Sequence, residues 1–323
     1  MSEIQNSSVN AFDRDKYASE ESIYKPDSEK FTKMLKILLE TPIKERKNTH
    51  FNQLLKKFIG NVDSLPIGLT CKNDIEVYNY LYNYCHLCNA HDRMPTSSIG
   101  NESEHRASNR ANEIQTMLKM FKISTKDLNY LDYGCSNGTL TSAIGEHLEM
   151  NTYGCDVPKW HGIDNKCNAA NVKYHHLSDD GSMPSNLSMK FNLITAFMVL
   201  HHLSQNKLNK IVSELVDRII DGGYFILREH DAINQETIDY CHFEHALYDL
   251  VIPDKPFTQF YDEYIGNYHS MDYWENMLCG MGLDLIYTTK AWGATRYVYM
   301  LFMKPQKIDT YIAPHEHITI NKS

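Results

Sequence analysis

Apolar positions along this chain follow three successive spacings. Phe31, Met34, Leu35, Leu38 and Leu39 recur at the i, i+3, i+4, i+7, i+8 stripe of an amphipathic helix, and Phe51, Leu54, Leu55, Phe58 and Ile59 repeat it. Pro26-Asp27-Ser28 can open the first of these helices, and Thr41-Pro42 closes it. A third helix is expected over 73–92. A fourth is expected over 102–122, with Ala111, Ile114, Leu118 and Phe121 on one face. From Tyr130 onward short apolar runs alternate with helical stretches at 140–149 and 206–220, the second carrying Leu208, Ile211, Val212, Leu215 and Ile219 on one face. That alternation argues for a parallel sheet covered by helices on both faces. Two β-rich runs, 282–289 and 296–303, then flank Lys290-Ala291-Trp292-Gly293-Ala294-Thr295 and read as a closing antiparallel pair. The polar, aperiodic ends read as a disordered tail over 1–25 and a loose tail over 305–323. The expected organisation is α/β: a helical extension or lid over 26–122, then an α/β domain over 123–304.

The α/β part is organised around Tyr130-Leu131-Asp132-Tyr133-Gly134-Cys135-Ser136-Asn137-Gly138-Thr139-Leu140, a short strand, a glycine turn and the start of a helix. Glycine at 134 and 138 permits positive φ and close approach of the backbone to a ligand. The helix N-terminus that follows favours an anion. Further on, Thr152-Tyr153-Gly154-Cys155-Asp156 is a second strand ending in a carboxylate that can accept both hydroxyls of a ribose. The dinucleotide fingerprint G-x-G-x-x-G is absent.

This pairing of a D-x-G-C-x-N-G turn with an acid at the next strand end resembles the class I S-adenosylmethionine (SAM) dependent methyltransferases. Further segments carry the likeness: a strand-like run from Val172 to Leu177 with Asp179 before Pro184, Phe191 to His202 as a fourth strand and its following segment, and Asp221-Gly222-Gly223 leading into Tyr224 to Leu227 as a fifth. The resemblance spans roughly Ile123 to Lys304. It implies a Rossmann-like seven-stranded methyltransferase sheet and SAM as cofactor, held by Asp132, Gly134, Cys135, Ser136, Asn137, Gly138, Asp156, Val157, Asp179 and Phe197. Two positions depart from the family pattern. Ser136 stands at the middle glycine of the loop, where its hydroxyl can still donate to a carboxylate, and Asn192 stands where aspartate is common.

Composition narrows the partners. A net charge of −9 provides no global attraction for nucleic acid, so RNA contact requires a local patch such as Lys44, Arg46, Lys47, Lys56 and Lys57, although these charges read first as a solvated helix face, the default for surface charge. Arg106 and Arg110, four apart on the fourth helix, are candidates for a cofactor carboxylate or a substrate phosphate, and equally read as exposed surface. No apolar run is long enough to span a membrane. Eight cysteines without framework spacing suggest reduced thiols and a cytoplasmic setting. Abundant Asn, Lys, Ile and Tyr fit an AT-rich genome, viral or protist. Cys85, Cys88 and His91 give C-x-x-C-x-x-H. No fourth ligand pairs with them, so packed cysteines are expected there rather than zinc.

In an open α/β sheet, chemistry belongs beyond the strand carboxyl ends. His201 and His202 follow the fourth strand and are candidates for a general base, although one of two adjacent side chains on an extended segment should point away. Arg228-Glu229-His230-Asp231 end the fifth strand and suggest recognition of a polar acceptor. A metal held by Glu229, His230 and Asp231 is disfavoured, because consecutive residues rarely face one ion; no metal is expected. Tyr240, His242, Phe243, His245 and Tyr248 lie on the next helix, a candidate roof. The expected acceptor pocket lies between that roof and the segment after strand four. There His201 or His202 acts as base, Glu229 as polar anchor, Phe243 as stacking wall, and Arg228 and His230 as further contacts. The position of the aspartate in a cap 2′-O-methyltransferase tetrad holds Ala196-Phe197-Met198, so that chemistry is disfavoured. The loose match of Phe197 to His202 to guanine-N7 cap methyltransferases makes RNA, with cap guanine N7 as the specific case, the leading acceptor. The alternatives are a small-molecule or protein acceptor, and a non-catalytic partner subunit with a methyltransferase fold.

Overall fold

The computed structural model describes residues 71–87, 104–160, 163–164, 167–178, 180–251, 255–293 and 295–306, with isolated positions 29, 32, 33, 36, 55 and 56 before them. The described strands are β1 (Asn129–Tyr133), β2 (Asn151–Asp156), the short pair β3 (Lys159–Trp160) and β4 (Ile163–Asp164), β5 (Lys173–His176), β6 (Phe191–Phe197), β7 (Ile219–His230), β8 (Asp284–Thr288) and β9 (Tyr297–Met303). The described helices are α1 (Asp74–Leu87), α2 (Glu104–Met120), α3 (Thr139–Leu148), α4 (Gln205–Asp217), α5 (Gln235–Val251), α6 (Phe257–Glu263) and α7 (Met271–Gly280).

Seven strands form one sheet in the order β5-β2-β1-β6-β7-β9-β8. The five from β5 to β7 are parallel, and β9 runs against both its neighbours. The chain leaves β1 toward one edge through β2 and β5, then returns to β6 on the other side of β1. The β1–β6 boundary is therefore a topological switch point, where a crevice opens at the carboxyl ends.

The period-two alternation of the strands sorts side chains onto two buried faces. On one face Tyr130, Leu193, Ile226 and Leu301 pack with Ile114 and Leu118 of α2 and Ile144 and Leu148 of α3. On the other, Leu131, Tyr133, Ile194, Phe225 and Phe302 meet Leu208, Ile211 and Leu215 of α4 and Trp274, Met277 and Leu278 of α7. A third cluster lies off the sheet: Val77, Tyr78, Leu81 and Cys85 of α1 pack with Phe243, Leu247 and Leu250 of α5 and Phe260 of α6. Tyr78 stacks on Phe260 at 5.2 Å and donates its hydroxyl to the Lys255 carbonyl. Such a ring pair adds about 0.5–1.5 kcal/mol beyond the area it buries.

Several boundaries differ from the sequence pattern. The helix expected over 206–220 ends at Asp217, because Ile219 and Ile220 pair as strand; Phe191 faces Ile219 across the ladder. Asp221-Gly222-Gly223 is no separate turn but an irregularity inside β7, where the register shifts and Gly222 takes φ 80°. Phe121, expected on the buried face of α2, is 37% exposed because it lies past the end of that helix. Most of the two basic helices expected before residue 71, together with Cys88, His91, Asp179 and both tails, lie outside the described residues. Asn192 accepts a hydrogen bond from the Asn129 amide at 3.1 Å, which ties β6 to β1 at the end far from the crevice.

Candidate active site

The glycine turn between β1 and α3 is built by backbone geometry. Gly134, Ser136 and Gly138 all adopt positive φ, at 77°, 49° and 78°. Amides of Gly134 and Cys135 both donate to the Cys155 carbonyl, stitching the turn to the end of β2. Gly138 caps α3 without a side chain of its own, and Asn137 Oδ1 accepts from the Thr139 amide at 3.2 Å, so the remaining first-turn amides are available to an anion. A Cβ at Gly134 would lie 2.5 Å from Val199 Cγ2 and one at Gly138 2.4 Å from Cys167 Sγ. Asp132 holds the turn from below. Its two carboxylate oxygens accept from Thr195 and Thr141 hydroxyls, each at 2.6 Å. Beside the turn, the Asp156 carboxylate accepts from the Ser136 amide at 2.6 Å and the Val157 amide at 2.7 Å. Burial pushes its pKa up to about 6, opposed by those two amides. One amide on each oxygen leaves each a second lone pair for a hydroxyl donor.

The carboxyl ends of β6 and β7 carry a different construction. After Phe197 the chain turns through Met198 (φ 55°) into a single helical turn over Leu200–His202. Glu229 pins that turn. Its Oε1 accepts from the amides of Val199 and Leu200 at 3.1 and 2.9 Å, and its Oε2 meets His201 Nδ1 at 2.6 Å. Both side chains are buried, at 1% exposure. Burial raises the Glu229 pKa, an effect that the His230 ring and the backbone amides oppose. Burial, then the neighbouring His245, holds His201 well below the ordinary imidazole range, and burial lowers His230 to about 3. His201 Nε2 lies 3.1 Å from His245 Nε2 on α5. Tyr268 stacks over His201 at 5.2 Å and contacts His245 Nδ1 at 2.7 Å.

On the α2 side of the sheet lies an open groove of about 510 Å³ between α2 and the β8–β9 end of the sheet. Met117 and Met120 form one wall, Tyr287, Trp292 and Tyr299 the other, with Asn109, Asn112 and Glu113 at the rim. Phe197 meets Tyr299 edge to face at 5.8 Å, so the groove adjoins the end of β6. Arg228 lies over the Tyr297, Tyr299 and Trp292 rings at 4.8, 5.7 and 5.9 Å, within or close to cation–π range.

Comparison with known proteins decides what this rim belongs to. A family model described as a methyltransferase domain matches residues 104–288, more than half of the chain. The chain belongs to that methyltransferase family. It is a SAM-dependent methyltransferase with a Rossmann-like seven-stranded sheet and a helical N-terminal region. The match takes in α2, which the sequence pattern assigns to the extension. Among solved structures, the chain is similar to magnesium protoporphyrin IX methyltransferase from Synechocystis with bound S-adenosylhomocysteine, at 12% identity and TM-score 0.40, covering 79% of this chain and 93% of that one. It is also similar to the N-methyltransferase NodS from Bradyrhizobium japonicum in complex with S-adenosylhomocysteine, at 16% identity and TM-score 0.41, covering 60% and 87%. No curated protein sequence matches the chain.

The methyltransferase's own residues fit its cofactor: a helix end opened by a glycine, a turn held in positive φ, and a carboxylate with lone pairs to spare at the end of β2. The residues that the resemblance implies for SAM do gather at this one place, Gly134 to Gly138, Asp156 and Val157 around the turn and Phe197 across the switch point; Asp179 lies outside the described residues. Asp132 and Cys135 are directed inward. Asp132 is spent on two hydroxyls, and Cys135 is buried with its thiol pKa raised by that burial.

The acceptor residues fall differently. The space expected between the roof helix and the segment after β6 is filled by packed histidine and tyrosine rings. Glu229 lies inside the protein with three donors on it, so it positions the His201 turn rather than touching an acceptor. Phe243 faces the α1–α6 cluster and is no stacking wall. His202 is half-buried with Nδ1 near the Ile265 carbonyl at 3.3 Å. Asp231 pairs with Arg296 at 2.6 Å and receives the Met271 amide. Two partners went unsuspected from sequence. Tyr268 lies in a stretch with no motif, and Thr295 supplies a backbone carbonyl, which side-chain identity does not betray.

Proposed function

We propose that this methyltransferase acts on a small organic acceptor with a flat or apolar body, bound in the groove between α2 and β8–β9. The groove itself carries the reading. Its volume of about 510 Å³ falls within the range of small-molecule sites, and its lining combines aromatic and methionine walls with a few polar groups. Its proximity to Phe197 puts a bound acceptor beside the switch point where the cofactor residues gather. The cofactor supplies a methyl group on a sulfonium, already a good leaving group, so the protein's task is to position the acceptor and exclude water. Trp292 and Tyr299 supply flat walls, and Asn109, Asn112 and Glu113 supply donors and acceptors for its polar edge.

The reading replaces RNA as the leading acceptor. A net charge of −9 gives the chain no overall attraction for a polyanion. The test is a labelled-methyl screen over metabolite extract, RNA and protein extract, followed by Trp292→Ala and Tyr299→Ala. Label in a low-molecular-weight product, with KM raised and SAM affinity retained in both variants, is the expected outcome. Label in capped RNA with salt-dependent binding would transfer the assignment to RNA. Full activity in both variants would move the pocket elsewhere.

A further inference from the structure

Three histidines from distant parts of the chain converge under α5. His201 follows β6, His230 ends β7 and His245 lies on α5, one turn past Cys241. One ring nitrogen from each lies within 4.8 Å of the other two. The hydrogen bonds identify which nitrogens these are. His201 Nδ1 is held by the Glu229 carboxylate at 2.6 Å, His230 Nδ1 by the Thr295 carbonyl at 2.8 Å, and His245 Nδ1 by the Cys241 carbonyl at 3.0 Å. Carbonyls and carboxylates only accept, so the Nδ1 atoms of His201 and His230 carry the proton and their Nε2 atoms present lone pairs. His245 Nδ1 meets both the Cys241 carbonyl and, at 2.7 Å, the Tyr268 hydroxyl; when it donates to the carbonyl, its Nε2 presents a lone pair as well. The Nε2 atoms of His201 and His245 face each other at 3.1 Å, a hydrogen bond in one tautomer of His245 and two facing lone pairs in the other. The third, His230 Nε2, is fully enclosed with no hydrogen-bond partner, on a residue 1% exposed. Leaving such a buried group unsatisfied costs about 1–3 kcal/mol.

A single cation would accept a lone pair from all three rings and give His230 Nε2 the partner it lacks. We propose that His201, His230 and His245 bind one transition-metal ion, zinc by the chemistry of the donor set, through their Nε2 atoms. Three neutral imidazoles are borderline-soft ligands that suit zinc, copper, nickel or iron(II) rather than magnesium or calcium. Tetrahedral zinc with bonds of about 2.0–2.1 Å separates its ligand nitrogens by about 3.3 Å. The His201–His245 distance already matches, and His230 completes the set by a movement on the order of 1 Å. A carboxylate or carbonyl on the remote nitrogen of each ligand is the arrangement that fixes tautomer and ring direction in metal sites. Three protein ligands leave a fourth position for solvent. The ion ties the turn after β6, the end of β7 and α5 together. This inference stands apart from the identity of the acceptor, since metal binding is read without turnover.

The experiment uses the full chain, purified without metal-affinity chromatography, with SAM binding as the check of the fold. Elemental analysis should find about one zinc per chain, or apoprotein stripped by chelator should take up zinc or cobalt(II) to that level, cobalt giving the visible bands of a tetrahedral site. His230→Gln and His245→Gln should abolish stoichiometric uptake, and Glu229→Gln should weaken it by about 10–100-fold, the usual loss when a ligand's supporting partner is removed. His202→Gln should leave uptake unchanged. Protein that binds SAM but neither carries nor takes up zinc or cobalt overturns the proposal. Uptake that survives in both His230→Gln and His245→Gln overturns it too, by placing the ion elsewhere.

Discussion

The glycine turn and the histidine cluster occupy the carboxyl end of one sheet, yet they are built by opposite means. The turn takes its shape from backbone: three positive φ angles, two amides on the Cys155 carbonyl, and one carboxylate at the end of the adjacent strand, all between residues 132 and 157. The histidine cluster takes its shape from side chains that reach it from residues 201, 229, 230, 245 and 268, with the Thr295 carbonyl behind His230. The first exposes lone pairs and a helix end to a ligand. The second encloses almost all its polar groups. A local motif can stay open because the backbone already supports it. A cluster assembled across the fold depends on the packing around it.

That contrast predicts where each region breaks. The largest effect belongs to packing behind the cluster: Phe243→Ala removes a fully buried ring between α5 and α1 and should cost about 3–5 kcal/mol in denaturant unfolding. SAM affinity in the folded fraction should be unaltered; a stable Phe243→Ala protein with impaired turnover would return this ring to the acceptor site.

Next comes Gly134→Ala. Its Cβ would meet Val199 at 2.5 Å and the residue must hold φ 77°, together about 2–4 kcal/mol from overpacking and left-handed strain. The obstruction is thus first to Val199 and only then to the cofactor. Adding Val199→Gly should recover the steric part of SAM affinity and leave the φ part; no recovery by calorimetry would mean the loop fails for another reason.

Glu229→Gln should destabilise by about 1.5–3 kcal/mol, the range for hydrogen bonds to a charged group. It keeps the shape but turns an amide toward His201 Nδ1, where a carboxylate stood. Equal stability of variant and wild type in urea would show that the carboxylate's charge is immaterial there.

The turn offers a pH signature instead. The folded pKa of Asp156, about 6, lies above the ordinary carboxylate value because of burial. Its contribution to stability is therefore complete below the unfolded value of about 4 and is lost as pH rises through about 6. Ribose hydroxyls donate to the ionised form, so SAM affinity should rise across the same interval. Asp156→Asn should flatten that rise and weaken binding at pH 7 by about 1.5–3 kcal/mol; a pH-independent wild type in titration calorimetry would separate Asp156 from the ribose. The smallest effect is Ser136→Gly, which relieves a φ of 49° and should raise melting stability by up to about 1 kcal/mol.

The sequence by itself determined the layered α/β fold and the cofactor turn, because both are written in neighbouring residues. Period-two strands such as Phe191–Phe197, the apolar stripe of Leu208, Ile211, Val212 and Leu215, and the spacing of Gly134, Gly138 and Asp156 each report local geometry directly. Strand ends were blurred where two elements abut without a breaker, as at Ile219, which is as apolar as a helix face requires. The acceptor side was legible only as a set of ionisable residues. Whether His201 meets a substrate or His245, whether Phe243 faces the crevice or α1, and which way Glu229 points are decided by the docking of α5 over β6 and β7. Residues 201 and 245 share no element and no periodicity, so only the tertiary structure brings their nitrogens to 3.1 Å.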